Sequence, residues 1–545
     1  AITVSVVNLG KLIAGEKSAV KINIKSNTEN QLNITAQINN LVDGKTDGSS
    51  APITQKIYEG NTLMHIPYTL KRTGEQRLQI QLKGDVNYTL STDVNIPILH
   101  ANYHGAKIRS NNTSLTAWVA DSGWKVSKTQ AIPKTETNGL YLSAAQDEFE
   151  AIQLVLNSPQ LITNLEIDLT ELINESGEKI PKKFLELFEV GYLNIRLPSD
   201  KAGISDRWPD PLIPLASPIS VNNGHNTPIW IRTFIPPGTT PGYYHGNVFV
   251  RSPTLEIKIP LTIEVYPFSL PKTMRCRSAI GLNFDTVVQY QNLKTNSEKR
   301  RVLDLYLKSF STHRLSPIDP VPLDPYRVDW NNTLPIFDWG NWDQSISRVL
   351  EKYYFNSFKI TFQGLAVGDK LHKKKPIIAG YTEENVHYSK AFSAYSKAIE
   401  SHLSNKGWLD HAYIYWFDEP SLKDYPSLRK DFQKLNEFSP SIPRLLTEPY
   451  VTELKDGPTI WCPLLSQYQP TNSPKSSSFW WYICSQPKSP YIGIFIDRPG
   501  IDLRTWLWQT WHHGIEGILI WQSVFWNSLM AYPDSLQDPF QDPMS

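Results

Sequence analysis

Residues 413–420 read YIYWFDEP, an aromatic run that ends in two adjacent acids, Asp418 and Glu419, and a proline. The run has the composition of a buried strand. In a regular strand the two acids would face opposite sides, but Pro420 biases Glu419 toward extended or turn geometry and marks the strand's end. Both carboxylates can then enter one cavity. Beside a like charge and the rings of Trp416 and Phe417, one of them would hold its proton more tightly.

Working outward, the chain from about residue 271 alternates strand-like and helix-like pieces. The strand candidates are 277–284, 312–316, 358–362, 411–417, 443–447, 459–464, 480–484 and 516–522, with helical patterns such as SEKRRVLDLYLKSF and NVHYSKAFSAYSKAIESHLSNKG between them. Eight such units predict a (β/α)8 barrel of the TIM type. Two crossovers lack a helical pattern: PYVTELKDGP after the fifth candidate, and the Pro/Ser-rich YQPTNSPKSSSF after the sixth. An open α/β sheet is the alternative, but no Gly-rich turn follows the first strand as a dinucleotide site would require.

The first half of the chain reads differently. ITVSVVNL, SAVKINIKS, QLNITAQI, TLMHIPYTL and QRLQIQLKG alternate in short runs, which predicts an immunoglobulin-like β-sandwich over 1–95. Larger, less regular strands such as FEAIQLVLNS, TPIWIRTFIP and LEIKIPLTIEVYPF predict a second β-sandwich over 96–268, leaving 269–545 for the barrel. The expected fold is therefore multidomain β plus α/β.

Composition narrows the function. Lys and Arg number 54 against 53 Asp and Glu, for a net charge of +1, so no basic field exists to gather nucleic acid or an anionic membrane. No apolar run of membrane-spanning length occurs. The first residues, AITVSVVNLG, have the look of a trimmed start and point to a secreted, periplasmic or cell-surface protein. Sequons stand at Asn33, Asn87, Asn111, Asn112, Asn174 and Asn331. Three cysteines are too few for a disulfide scaffold; Cys462 and Cys484 are the one pair worth testing as a bridge.

If the barrel reading holds, chemistry sits where strands end. Those positions carry Asn283, Asp285, His313, Arg314, Gln363, Asp418, Glu419, Glu448, Gln467, Gln486, Gln522 and Trp526, with Trp416 and Trp521 nearby. The set is rich in groups that bond hydroxyls and poor in cations, which suits a neutral polyol better than a phosphate ester. Adjacent acids before proline also begin helices, and SLKDYPSLRK follows directly, so capping is the competing explanation for Asp418 and Glu419. Glu448 in RLLTEPY is a rival carboxylate, and a two-acid glycosidase could pair it with Glu419. Asp497 in IDRPG reads as a helix cap, while Arg504 could pair with an acid or hold a ligand oxygen. His512 and His513 are adjacent rather than spaced as metal ligands, no H-E-x-x-H occurs, and no histidine near Cys484 could activate its thiol.

WFDEP, together with WWYICSQP (480–487) and the block IDRPGIDLRTWLWQTWHHGIEGILIWQS (496–523), resembles glycoside hydrolase family 123 and the wider domain-of-unknown-function 4091 group. EFEAIQLVL and PPGTTPGYYHGNVFV resemble that group's sheet domain. The resemblance implies a retaining β-N-acetylgalactosaminidase acting on a glycan without metal or organic cofactor. In such enzymes the sugar's own 2-acetamido oxygen attacks C1 and forms an oxazolinium. Carried across, Glu419 would protonate the leaving oxygen and then activate water, and Asp418 would orient the acetamido nitrogen. The 1–95 segment is extra to the minimal family layout.

Overall fold

The computed structural model describes residues 2–526 except 111, 217, 370–372, 473 and 475–476. The sequon at Asn111 and the stretch 527–545 therefore lie outside the described residues. The fold is multidomain β plus α/β, with three separate apolar cores whose buried residues run from Val4 to Ala101, from Ile108 to Val265 and from Met274 to Val524.

In the first, period-two patterning does what it predicts. Lys17–Ser26 buries Val20, Ile22 and Ile24 while pairing with Ile2–Asn8 and Gly60–Thr69. Across the core, Leu32–Val42 and Gly74–Gly84 bury Ile34, Ala36, Ile38, Leu78, Ile80 and Leu82. The second core lies between two larger sheets. One is centred on the ten-residue pairing of Glu148–Asn157 with Asn226–Ile235, the other on Gly242–Ser252 with Leu255–Ser269.

Beyond residue 270 the helices are α1 (Phe284–Tyr290), α2 (Asn296–Thr312), α3 (Gly340–Tyr353), α4 (Tyr388–Lys406), α5 (Tyr425–Phe438) and α6 (Ile501–His512). None of the described helices is long and apolar enough to cross a membrane. The strands between them are short. Arg277–Ile280 pairs in parallel with Gly517–Ile520, which pairs with Ser478–Tyr482, and that with Ile460–Trp461 and then Leu445–Leu446. Phe358–Lys359 pairs with Ala412–Tyr413. A few backbone bonds join the remaining neighbours: Ile280 N–H to the Ser316 carbonyl and Ile318 N–H to that of Ile280, Lys359 N–H to Ile318, and Ile414 N–H to Pro443 with Leu445 N–H to Ile414.

Side-chain alternation sorts these strands into two faces. Ala279, Tyr413, Leu445, Ile460, Cys462, Trp480, Tyr482 and Leu519 form one inner cluster, while Ile280, Ile414, Leu446, Trp461, Trp481 and Ile518 join the large outer core with the helices. The two crossovers without a helical pattern carry only 3-10 turns in the described residues, at Thr452–Leu454, Leu465–Gln467 and Pro470–Asn472.

All three cysteines are free thiols, so the suggested Cys462–Cys484 bridge is not formed. Cys462 is fully buried in the inner cluster, and Cys484 packs beside it. Burial pushes the Cys276 thiol up to about 11 and raises that of Cys462 as well, the latter with help from Asp418.

Candidate active site

The acidic pair stands beyond the strand Ala412–Tyr413, and a bridge between Phe417 and Gly368 holds the segment in place. Tyr415 Oη donates to Asp418 Oδ1 at 2.6 Å, and Thr447 Oγ1 donates to the same oxygen at 2.8 Å. Thr447 Oγ1 also accepts the Glu419 N–H at 2.8 Å. Glu419 adopts a φ of +43°, a left-handed conformation that non-glycine residues rarely take. That turn carries its side chain past the adjacent strands to Ser478–Tyr482, where Tyr482 Oη donates to Glu419 Oε1 at 2.5 Å. On the next strand end Glu448 accepts from Tyr425 Oη at 2.6 Å.

Each of three carboxylates is thus gripped by one phenol. Burial first, and the adjacent carboxylate second, raise Tyr415, Tyr482 and Tyr425 above the ordinary phenol range. All three therefore remain protonated donors at neutral pH. Asp418 is held through Oδ1 by both Tyr415 and Thr447, and the residue itself is exposed. Helix capping does not explain the pair, since α5 starts at Tyr425, after Asp424. The acids sit between strand and helix with their own partners.

Other expected site residues fall elsewhere. His313 and Arg314 were placed at a strand's end, but α2 runs to Thr312 and the strand-like segment begins only at Ser316. His313 is the exposed C-cap of α2, and Arg314 bonds Asp147 of the second β-region. Both lie at the opposite end of that segment from the acids. Trp416 is buried, with its ring edge-on to Phe432 of α5, so it packs strand against helix. Arg504 pairs with Glu150 at 2.7 Å.

Asp497 does not cap α6, whose N-cap is Gly500; it accepts from the Ser199 N–H and hydroxyl at 2.7 and 2.6 Å. Asn283 caps α1, and Gln522 Oε1 accepts the Asn283, Ser523 and Val524 N–H groups. Gln363 is half-buried, and its N–H donates to Tyr395 Oη. Gln486 is exposed just past the strand that carries Tyr482, while Asp285 is exposed on α1. Gln467 lies in a 3-10 turn. Trp521 is exposed beside Phe525, and the Trp526 ring meets that of Tyr290.

Sequence reasoning missed Tyr415, Tyr425, Thr447 and Tyr482 as site residues. Tyr415 was within the quoted run, three residues before Asp418, and Thr447 directly precedes Glu448; both had been counted only as strand. Among the described residues no group of three His, Cys, Asp or Glu side chains stands ready to hold a metal ion.

Acids braced by phenols at strand ends are an arrangement that glycoside hydrolysis can use. Residues 342–545 match the glycoside hydrolase 123 catalytic domain and residues 119–252 match the glycoside hydrolase 123 N-terminal domain. Together these spans cover more than half of the chain, which belongs to glycoside hydrolase family 123. A solved family 123 glycoside hydrolase from Clostridium perfringens, described for glycolipid glycan hydrolysis, is similar in fold. It has 15% identity and a TM-score of 0.59 over 79% of this chain and 80% of that one. Red sea bream transglutaminase aligns over 49% of this chain and 31% of its own at 10% identity, but its TM-score of 0.16 carries no argument. No curated protein matches the chain.

Proposed function

We propose that the chain is a retaining β-N-acetylgalactosaminidase that works by substrate assistance. The observation that carries this reading is the asymmetric grip on Asp418. Tyr415 and Thr447 both occupy Oδ1, leaving Oδ2 to accept an acetamido N–H and turn the acetamido oxygen toward C1. Glu419, one residue on, gives its proton to the leaving oxygen; the oxazolinium then opens to water that Glu419 deprotonates. An internal nucleophile needs no carboxylate on the opposite face of the sugar, only two acids on one side.

We read the eight linked strand segments as a (β/α)8-like barrel with two reduced crossovers, preceded by β-sandwiches at 1–95 and 96–268. The backbone bonds that join neighbouring segments and the separation of inner from outer side chains support that reading. The Clostridium relative, described for glycolipid glycan hydrolysis, makes a glycolipid glycan the first natural substrate to try. The test is Glu419→Gln assayed on 4-nitrophenyl β-N-acetylgalactosaminide and the matching galactoside. A loss of roughly 10²-fold or more, no cleavage of the galactoside, and inhibition by a thiazoline mimic are expected. Equal cleavage of the plain galactoside would end substrate assistance.

A further inference from the structure

Three polar groups that this mechanism does not use converge in the interior on neighbouring strand segments. Tyr413 is 2% exposed within the inner cluster, and its hydroxyl has no hydrogen-bond partner among the described residues. Lys359 pairs in register with Tyr413. Its neighbours Phe358 and Ile360 belong to the outer core, so alternation sends the Lys359 side chain inward with that of Tyr413. Asp319 follows Ile318, whose carbonyl accepts the Lys359 N–H at 2.8 Å. The carboxylate feels the charge of Lys359 and acts in turn on the Tyr413 hydroxyl. Among the described residues it accepts one hydrogen bond, from the Val321 N–H of its own turn, at 2.9 Å. Asp319 and Lys359 form no ion pair with each other or with any described residue.

We propose that Asp319, Lys359 and Tyr413 form a subsite that reads adjacent hydroxyls of the bound sugar ring. An acid and a base held apart exclude most ligands. An anion meets Asp319, a cation meets Lys359, and an apolar group leaves the buried Tyr413 hydroxyl and the two half-buried charges without partners, which is costly. A vicinal diol fits: one hydroxyl donates to Asp319, its neighbour accepts from Lys359, and Tyr413 bonds whichever oxygen lies deeper. The position fits as well. Tyr413 precedes Tyr415 by two residues on the same segment, which continues beyond the strand Ala412–Tyr413, so the subsite lies about 6.5 Å below the phenol that holds Asp418. Asp319 and Lys359 bind the sugar's hydroxyls and act on specificity. The subsite rests on the reading of Asp418 and Glu419 as the reacting end.

The experiment measures binding of N-acetylgalactosamine, galactose, glucose and the 3-, 4- and 6-deoxy forms of N-acetylgalactosamine to the full chain, in wild type, Asp319→Asn and Lys359→Met. Asp319→Asn should weaken binding of the preferred sugar about ten- to a hundredfold. KM should rise accordingly while kcat and the melting temperature change little. One deoxy sugar should bind wild type and Asp319→Asn equally weakly, and a neighbouring deoxy position should do the same for Lys359→Met. Binding within twofold of wild type in both variants, equal penalties for every deoxy sugar in all three proteins, or no binding of any sugar overturns the subsite. If one variant fails to fold, the other cycle decides. Should Glu419→Gln remain active while sugar binding still depends on Asp319, the catalytic assignment falls and the subsite stands.

Discussion

Tyr482 donates its phenolic hydrogen to Glu419 Oε1 at 2.5 Å, linking the strand Ser478–Tyr482 to the left-handed turn after Phe417. The bond selects one orientation for the acid and favours its charged form. Removing it in Tyr482→Phe should lower kcat/KM about tenfold and move the basic limb of the pH–rate profile upward, since the carboxylic acid then persists to higher pH. A profile that shifts downward, or does not shift, would show that Glu419 draws its orientation from other partners.

Thr447 is buried and joins the two acids, donating to Asp418 and accepting from the Glu419 backbone. Thr447→Val keeps the shape and removes both bonds. A stability loss of about 1–3 kcal/mol is expected by urea unfolding, with a fall of at least tenfold in kcat on the acetamido substrate. Full activity in a correctly folded variant would mean that Asp418 needs no such anchor.

Glu448 separates two mechanisms. With an internal acetamido nucleophile, Glu448→Gln should cost less than tenfold in kcat/KM. If a second protein carboxylate attacks C1 or activates water, the same variant should lose about 10²-fold or more. Kinetics on aryl glycosides with and without the acetamido group reads the difference directly.

Arg498 and Asp200 form an ion pair at 2.8 Å with side chains only 5% and 6% exposed, and Arg498 also meets Asp502. Removing one partner strands a buried charge, so Arg498→Met should destabilise the chain by about 3–5 kcal/mol in thermal or denaturant unfolding. A double variant, Arg498→Met with Asp200→Leu, should recover part of that loss.

Asp324 is held below the usual carboxylate range chiefly by its bonds to Arg300, at 2.9 and 2.6 Å. A carboxyl lowered in the folded state contributes stability above its unfolded value of about 3.9 and loses it as pH falls through the folded one. Asp324→Asn should therefore narrow the stability difference between pH 6 and pH 3. An unchanged difference would show that Arg300 is too solvent-screened to matter.

The sequence made the strands legible where alternation was strong, as in KINIKS and RLQIQL, and it pointed to Asp418 and Glu419 because Pro420 marks where the strand stops. Short strands hid their ends. The segment near Ser316 has no alternation of its own, and the periodic face of α2 runs up to it, so His313 and Arg314 were put on the wrong side. Asp497 looked like a local cap because its partner, Ser199, lies 298 positions away. The phenols that orient the acids were invisible for the same reason: nothing local distinguishes a tyrosine that packs from one that also reaches a carboxylate on another strand.

The stretch just after Tyr482 is fastened to the second β-region at several points: Lys488 to the Ser199 carbonyl, Ser489 N–H and Arg498 to Asp200, and Asp497 to Ser199. The half of the protein that carries the acids is consequently not portable. A gene fragment starting at residue 269 would encode every reacting group yet lack the splint for the loop behind Tyr482, so exchange between relatives would have to move both regions as one inherited piece.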